Sequence, residues 1–140
     1  MTGKFLTRSE DETIELGKRF STILKPGDVV ALFGDLGSGK TKFVQGVCIG
    51  LGVFETVNSP TFIIMNKYKG RLTVYHFDFY RVKSVDEVIE IGFRDFIFND
   101  AVSLIEWADV VYELLPSKRY DVYLRFVDEE NEREIEIVKR

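Results

Sequence analysis

Val29-Val30-Ala31-Leu32-Phe33-Gly34-Asp35-Leu36-Gly37-Ser38-Gly39-Lys40-Thr41 is the stretch that decides the fold. Its first five residues are all apolar, as in a strand buried on both faces. Gly34 to Gly39 reads as a loop, and Lys40 to about Leu51 as a helix closed by Gly52. A buried strand, a glycine-rich loop and a helix together open an α/β sheet with parallel strands. The loop fits G-x-x-x-x-G-K-[ST] at every position. Glycines let the backbone curl and aim successive N–H groups at phosphate oxygens. The start of the helix adds a partial positive charge. Gly34, Asp35, Leu36, Gly37, Ser38, Gly39, Lys40 and Thr41 are therefore read as a cradle for a purine nucleoside triphosphate. Lys40 would reach the β and γ phosphates, and the Thr41 hydroxyl would coordinate magnesium.

Outward from this unit the pattern stays α/β. Ser9 followed by Glu12 is a capping box that opens a helix running to about Leu24, with Leu16, Phe20, Ile23 and Leu24 as its apolar stripe. Val57 to Pro60 is extended, because Pro60 pushes Ser59 out of the helical region. Thr61–Tyr68 and Leu72–Phe79 flank Lys69-Gly70-Arg71 and suggest a hairpin. Ser84 to Ile91 reads as a short helix, Val102 to Ile105 as a second buried strand ending at Glu106, and Asp121–Val127 with Glu134–Val138 as a last hairpin. The expected architecture is one domain over residues 1–140. It is a P-loop NTPase-like three-layer fold whose central sheet has parallel core strands and antiparallel additions.

A phosphate loop needs a carboxylate at the end of an apolar strand to hold magnesium, directly or through water. Two candidates qualify: Asp78, after Val74-Tyr75-His76-Phe77, and Glu106, after Val102-Ser103-Leu104-Ile105. The residues alone do not rank them. Strand alternation puts His76, Asp78 and Tyr80 on one face and Phe77 and Phe79 on the other. For His76 a structural role is the simpler reading. Asn58-Ser59-Pro60-Thr61 lies where a γ-phosphate sensor would sit, and equally where an ordinary loop would enter a strand. Trp107 is read as packing near the base, at a partner surface or in the core. No Asn-Lys-x-Asp guanine reader is present, since Asn66-Lys67 is followed by Tyr68 and Lys69. Adenine is the expected base. No arginine finger stands out, although Arg8, Arg81 and Arg94 are available in cis.

The totals restrict function further. The 140 residues carry a net charge of −4 with the acids spread along the chain, which is poorly suited to holding nucleic acid unaided. The single cysteine, Cys48, excludes an internal disulfide and falls in an apolar helical stretch, where it reads as core. No apolar run approaches the roughly 18 residues of a membrane span, and no secretory signal is visible. The expected location is the cytoplasm.

Five segments together resemble the TsaE family, the small P-loop ATPases of bacterial tRNA threonylcarbamoyladenosine biosynthesis. They are Gly34 to Thr41, Ser59-Pro60-Thr61-Phe62, His76-Phe77-Asp78-Phe79-Tyr80-Arg81, Gly92-Phe93-Arg94-Asp95 and Ile105-Glu106-Trp107. The resemblance spans nearly the whole chain. It implies ATP and Mg2+ as cofactors, Thr41 and Glu106 as metal ligands, and Asp78 as a second essential acid near the γ-phosphate. It also implies that Thr61 is a switch-type threonine and that Ser9 and Thr13 border the adenine. Family members are weak ATPases alone and act with TsaD and TsaB, so tRNA would be met only through that complex. Two other readings use the same loop: a small-molecule kinase, opposed by the short chain, and a nucleotide-gated interaction module in which binding alone carries the signal.

Overall fold

The structure, a computed structural model, describes residues 1–60, 64–97 and 99–140. Strands β1 (Gly3–Thr7), β2 (Val29–Phe33), β3 (Met65–Lys69), β4 (Thr73–Asp78), β5 (Val102–Glu106), β6 (Tyr120–Phe126) and β7 (Arg133–Lys139) form one sheet in the order β1-β7-β6-β2-β5-β4-β3. The four central strands β6, β2, β5 and β4 pair in parallel, whereas β1, β7 and β3 pair antiparallel at the two sides. This is the mixed α/β sheet expected from the Val29–Thr41 stretch.

Alternation along β2 divides the core in two. Val30 and Leu32 face a cluster built with helices α1 (Glu10–Ser21) and α2 (Lys40–Gly50), through Leu16, Phe20, Phe43 and Val47. Val29 and Ala31 face the opposite cluster, which contains Phe77, Phe79, Val88, Phe93 and Ile97. Those side chains bring in helices α3 (Val85–Glu90) and α4 (Phe93–Ile97), and Val111 brings in a 3-10 turn, Ala108–Leu114. Phe93 sits edge-on to both Phe77 and Phe79, with ring centroids 5.1 and 5.4 Å apart. Helices on both faces give the expected three layers.

The two helices beside β2 approach unusually closely, and glycine is the cause. A Cβ on Gly46 of α2 would lie 2.0 Å from the Ile14 carbonyl oxygen, and one on Gly17 of α1 would lie 2.4 Å from the Phe43 carbonyl oxygen. Only residues without a side chain let the backbones meet at this distance.

Several boundaries differ from the sequence reading. Helix α1 ends at Ser21, three residues before Leu24, because the Ser21 and Thr22 hydroxyls bond back to the carbonyls of Lys18 and Arg19. Its start agrees, with Ser9 Oγ accepting from Glu12 N, but the Glu12 carboxylate reaches Arg8 N. The described strands of the central hairpin cover 65–69 and 73–78, and residues 61–63 of the expected first strand lie outside the described residues. Strand β1 was not foreseen. Its Gly-Lys-Phe-Leu-Thr sequence has weak strand character, and pairing with β7 supplies the order.

Candidate functional site

Strand β2 delivers the chain into the loop at Gly34, and α2 takes it out at Lys40. Gly37 and Gly39 have φ of 80° and 102°, left-handed conformations that a side chain resists, so the curl depends on glycine at both positions. Gly34 is required by space: a Cβ there would lie 2.5 Å from Ser38 Oγ and 2.7 Å from the Leu124 carbonyl oxygen. No side chain caps the start of α2, which leaves its first N–H groups directed into the loop. Lys40 is only 5% exposed, and burial holds its pKa below the ordinary lysine value. Its ammonium donates to the carbonyls of Gly34 (2.5 Å) and Asp35 (2.9 Å), and Ser38 Oγ lies 3.5 Å away. The charge therefore rests on the loop's own oxygens and is available to a ligand that offers better ones.

Strands β2, β5 and β4 lie side by side and parallel, so their carboxyl ends open together. Register pairs Asp78 at the end of β4 directly with Glu106 at the end of β5, which places both candidate acids beside the loop. Glu106 is nearly fully buried. Its Oε1 accepts from Thr41 Oγ1 at 2.9 Å, and its Oε2 lies 2.5 Å from His76 Nε2. An ionised carboxylate can only accept, so the histidine proton sits on Nε2. His76 is fully buried and its Nδ1 has no partner among the described residues. The sequence reading made His76 structural; the structure places it against the acid. Asp78 Oδ1 accepts from Tyr80 N at 3.0 Å. Burial raises the Asp78 pKa above the usual carboxylate value, and the nearby Glu106 charge adds to the rise.

Trp107 follows Glu106 and is the one non-glycine residue with positive φ among the described residues, at 57°. That backbone conformation is costly. It sets the indole 4.2 Å from the Lys40 ammonium and 5.0 Å from the Tyr80 ring. Trp107 is partly buried against the core cluster that contains Phe77 and Phe93, and it also lines the cleft beside Lys40.

These groups open into a cleft of about 920 Å³. It is lined by Ser9, Thr13, Leu36, Gly37, Gly39, Lys40, Thr41, Asp78, Glu106 and Trp107 from the sequence reading. Thr13 is buried, with its hydroxyl 2.8 Å from that of Thr7. Gly34, Asp35 and Ser38 of the loop do not line the cleft but turn oxygens toward the Lys40 ammonium. Thr61 lies outside the described residues. Of the three arginines considered, Arg81 lines the cleft, whereas Arg8 faces Glu132 at 3.4 Å on the surface.

Ser59 also lines the cleft, and the sequence reading named it only as part of the Asn58-Ser59-Pro60-Thr61 stretch and its family motif. Arg133, at the start of β7, was not named in the sequence reading; it lines the cleft, donates to the Gly37 carbonyl at 3.2 Å and lies 4.6 Å over the Phe126 ring. A lone arginine at a strand start has nothing in its local sequence to mark it.

The donor set fits magnesium bound with a nucleotide. The oxygens of Thr41, Glu106 and Asp78 are hard ligands, and magnesium uses one or two carboxylates together with substrate phosphates and water. Among the described residues no three His, Cys, Asp or Glu side chains form a self-sufficient metal cage. Among them, too, no helix is long and apolar enough to cross a membrane.

Comparison with known proteins agrees with the geometry. The family model described as "Threonylcarbamoyl adenosine biosynthesis protein TsaE" matches residues 7–135. The chain is 41% identical over 133 residues to the tRNA threonylcarbamoyladenosine biosynthesis protein TsaE of Bacillus subtilis, covering 94% of this chain and 82% of that protein. It is 39% identical over 132 residues to the TsaE protein of Treponema pallidum, covering 94% and 97%. The crystal structure of Bacillus subtilis YdiB superposes with a TM-score of 0.81 at 36% identity, over 98% of this chain and 84% of that one. With its phosphate loop, its paired strand-end acids and these relatives, the chain belongs to the TsaE family.

Proposed function

We propose that this chain is the ATP-binding and ATP-hydrolysing subunit of a tRNA-modifying assembly, working in the cytoplasm with TsaD-like and TsaB-like proteins in N6-threonylcarbamoyladenosine formation. The observation that carries the reading is the convergence of Lys40, Thr41, Asp78 and Glu106 at the carboxyl ends of β2, β4 and β5. The relatives' names supply the pathway, and the acidic chain fits a subunit that meets tRNA only through its partners.

In this reading Lys40 exchanges the carbonyls of Gly34 and Asp35 for β- and γ-phosphate oxygens. Thr41 and Glu106 hold Mg2+, which when bound neutralises phosphate charge and favours attack at the γ-phosphorus. Asp78 orients the attacking water, and Tyr80 N fixes the carboxylate that does so. Ser9 and Thr13, which line the same cleft, border the base. Thr61 acts as the switch residue on the γ-phosphate side. Hydrolysis is slow in the isolated chain and rises with the partners, since completing a P-loop site in trans can be worth about 10³–10⁵ in rate.

Calorimetry of Mg-ATP on the wild-type and Lys40→Ala proteins tests the site. The variant should bind at least about tenfold more weakly, the effect of losing a charge-assisted contact worth roughly 1.5–3 kcal/mol. Equal affinity in a folded variant overturns the assignment. Turnover with and without the two partner proteins tests the role, and transfer of the γ-phosphate to a metabolite in place of water would restore the kinase reading.

A further inference from the structure

Ser59 stands at the centre of the acid cluster, and its surroundings contain too few protons. The Ser59 Oγ lies 2.9 Å from Thr41 Oγ1 and 3.4 Å from Glu106 Oε2. Thr41 Oγ1 is in turn 2.9 Å from Glu106 Oε1. Three oxygen–oxygen contacts thus link two hydroxyls and one carboxylate. Each hydroxyl supplies one proton, and an ionised carboxylate supplies none. At most two of the three contacts are hydrogen bonds at any moment. The remaining one sets lone pairs against lone pairs, an arrangement that a cation resolves. The spacing also suits one: adjacent ligands of an octahedral ion with 2.0–2.1 Å bonds are about 2.9 Å apart.

The backbone holds Ser59 in this position from both sides. Gln45 Nε2, on α2, donates to the Val57 carbonyl at 2.8 Å. The Asn58 carbonyl accepts from Tyr68 OH and Asn66 Nδ2, both at 3.2 Å and both on β3. Pro60 keeps Ser59 extended.

We propose that the Ser59 hydroxyl is a direct ligand of the magnesium ion that accompanies the nucleotide, joining Thr41 and Glu106 and tying residues 57–60 to the metal. The proposal rests on the nucleotide-site reading above. It assigns the metal-side contact of this loop to Ser59.

The test measures binding, using a non-hydrolysable ATP analogue and the full chain, with calorimetric titrations of Mg2+, Mn2+ and Cd2+. Ser59→Ala should weaken Mg2+ binding to the nucleotide-loaded protein by about tenfold while leaving metal-free nucleotide affinity within twofold. Ser59→Cys should lose Mg2+ in the same way yet regain affinity with Cd2+, because thiolate prefers the softer ion. Ser59→Thr, which keeps the hydroxyl, should stay near wild type, and thermal melts confirm that each variant folds. An Ser59→Ala midpoint within twofold of wild type overturns the proposal, as does an equal loss of all three metals in Ser59→Cys. If wild-type protein binds the analogue with no metal dependence, the magnesium reading itself falls, and the proposal with it.

Discussion

Cys48 is completely buried on α2, and burial pushes its thiol pKa from 9.0 up to about 12. In the unfolded chain the same thiol ionises near its ordinary value. Between pH 9 and 12 the unfolded state therefore releases a proton that the folded state keeps. Stability from this group is fully present below pH 9 and falls as pH rises, by up to about 1.4 kcal/mol per pH unit. Denaturant melts at pH 8 and pH 10 should show the folded state weakened at the higher pH, and Cys48→Ser should flatten that difference. The native thiol should also resist alkylation at pH 8 until the protein unfolds. A fast-reacting native Cys48 would contradict the burial. This residue was legible in the sequence, because a lone cysteine in an apolar helical stretch has few other roles. His76 was not. Its partner Glu106 is 30 residues away, and only the pairing of β4 with β5 brings the two together.

Among elements, the contact between α1 and α2 carries the plainest expectation. Gly46→Ala puts a methyl 2.0 Å from the Ile14 carbonyl oxygen, so the helices must separate or the chain must distort. Overpacking of this kind costs about 1–3 kcal/mol. Urea denaturation should place the variant lower by that amount, with Ile49→Ala, on the exposed side of the same helix, within about 0.5 kcal/mol of wild type. Because α2 begins at Lys40, nucleotide affinity should fall along with stability in Gly46→Ala. If neither changes, the close approach is not a constraint. The glycines of the loop could be read from a motif. Gly17, Gly46 and Gly50 could not, since nothing local distinguishes a glycine that admits another helix from one that merely weakens its own. Helix and strand types were recovered wherever apolar periodicity was strong. Strand β1 was lost because its order comes from β7, more than 120 residues further along the chain.

Over the whole molecule, the site follows from topology: three neighbouring parallel strands end at one edge, and a loop and two acids occupy those ends. The acids were found as strand-end residues, but sequence alone could not rank them, because their difference lies in burial and partners. Glu106 is enclosed by Thr41 and His76, whereas Asp78 is half-buried and turned toward the cleft. The sheet register fixes Asp78 opposite Glu106 whatever the site contains. Asp78→Asn should therefore raise the stability of the metal-free protein by up to about 1 kcal/mol, since it removes a partly desolvated charge beside another of the same sign while keeping an acceptor for Tyr80 N. Thermal melts in chelator would show it as a higher midpoint, and the gain should shrink when Mg-ATP is added. A lower midpoint in chelator would mean that the two charges do not oppose folding. Since the backbone pairing holds the carboxylates together, in the proposed cycle their repulsion would return each time products and cation leave. In that cycle the sheet itself would recock the empty site, and the restoring force would be built into the chain before any partner arrived.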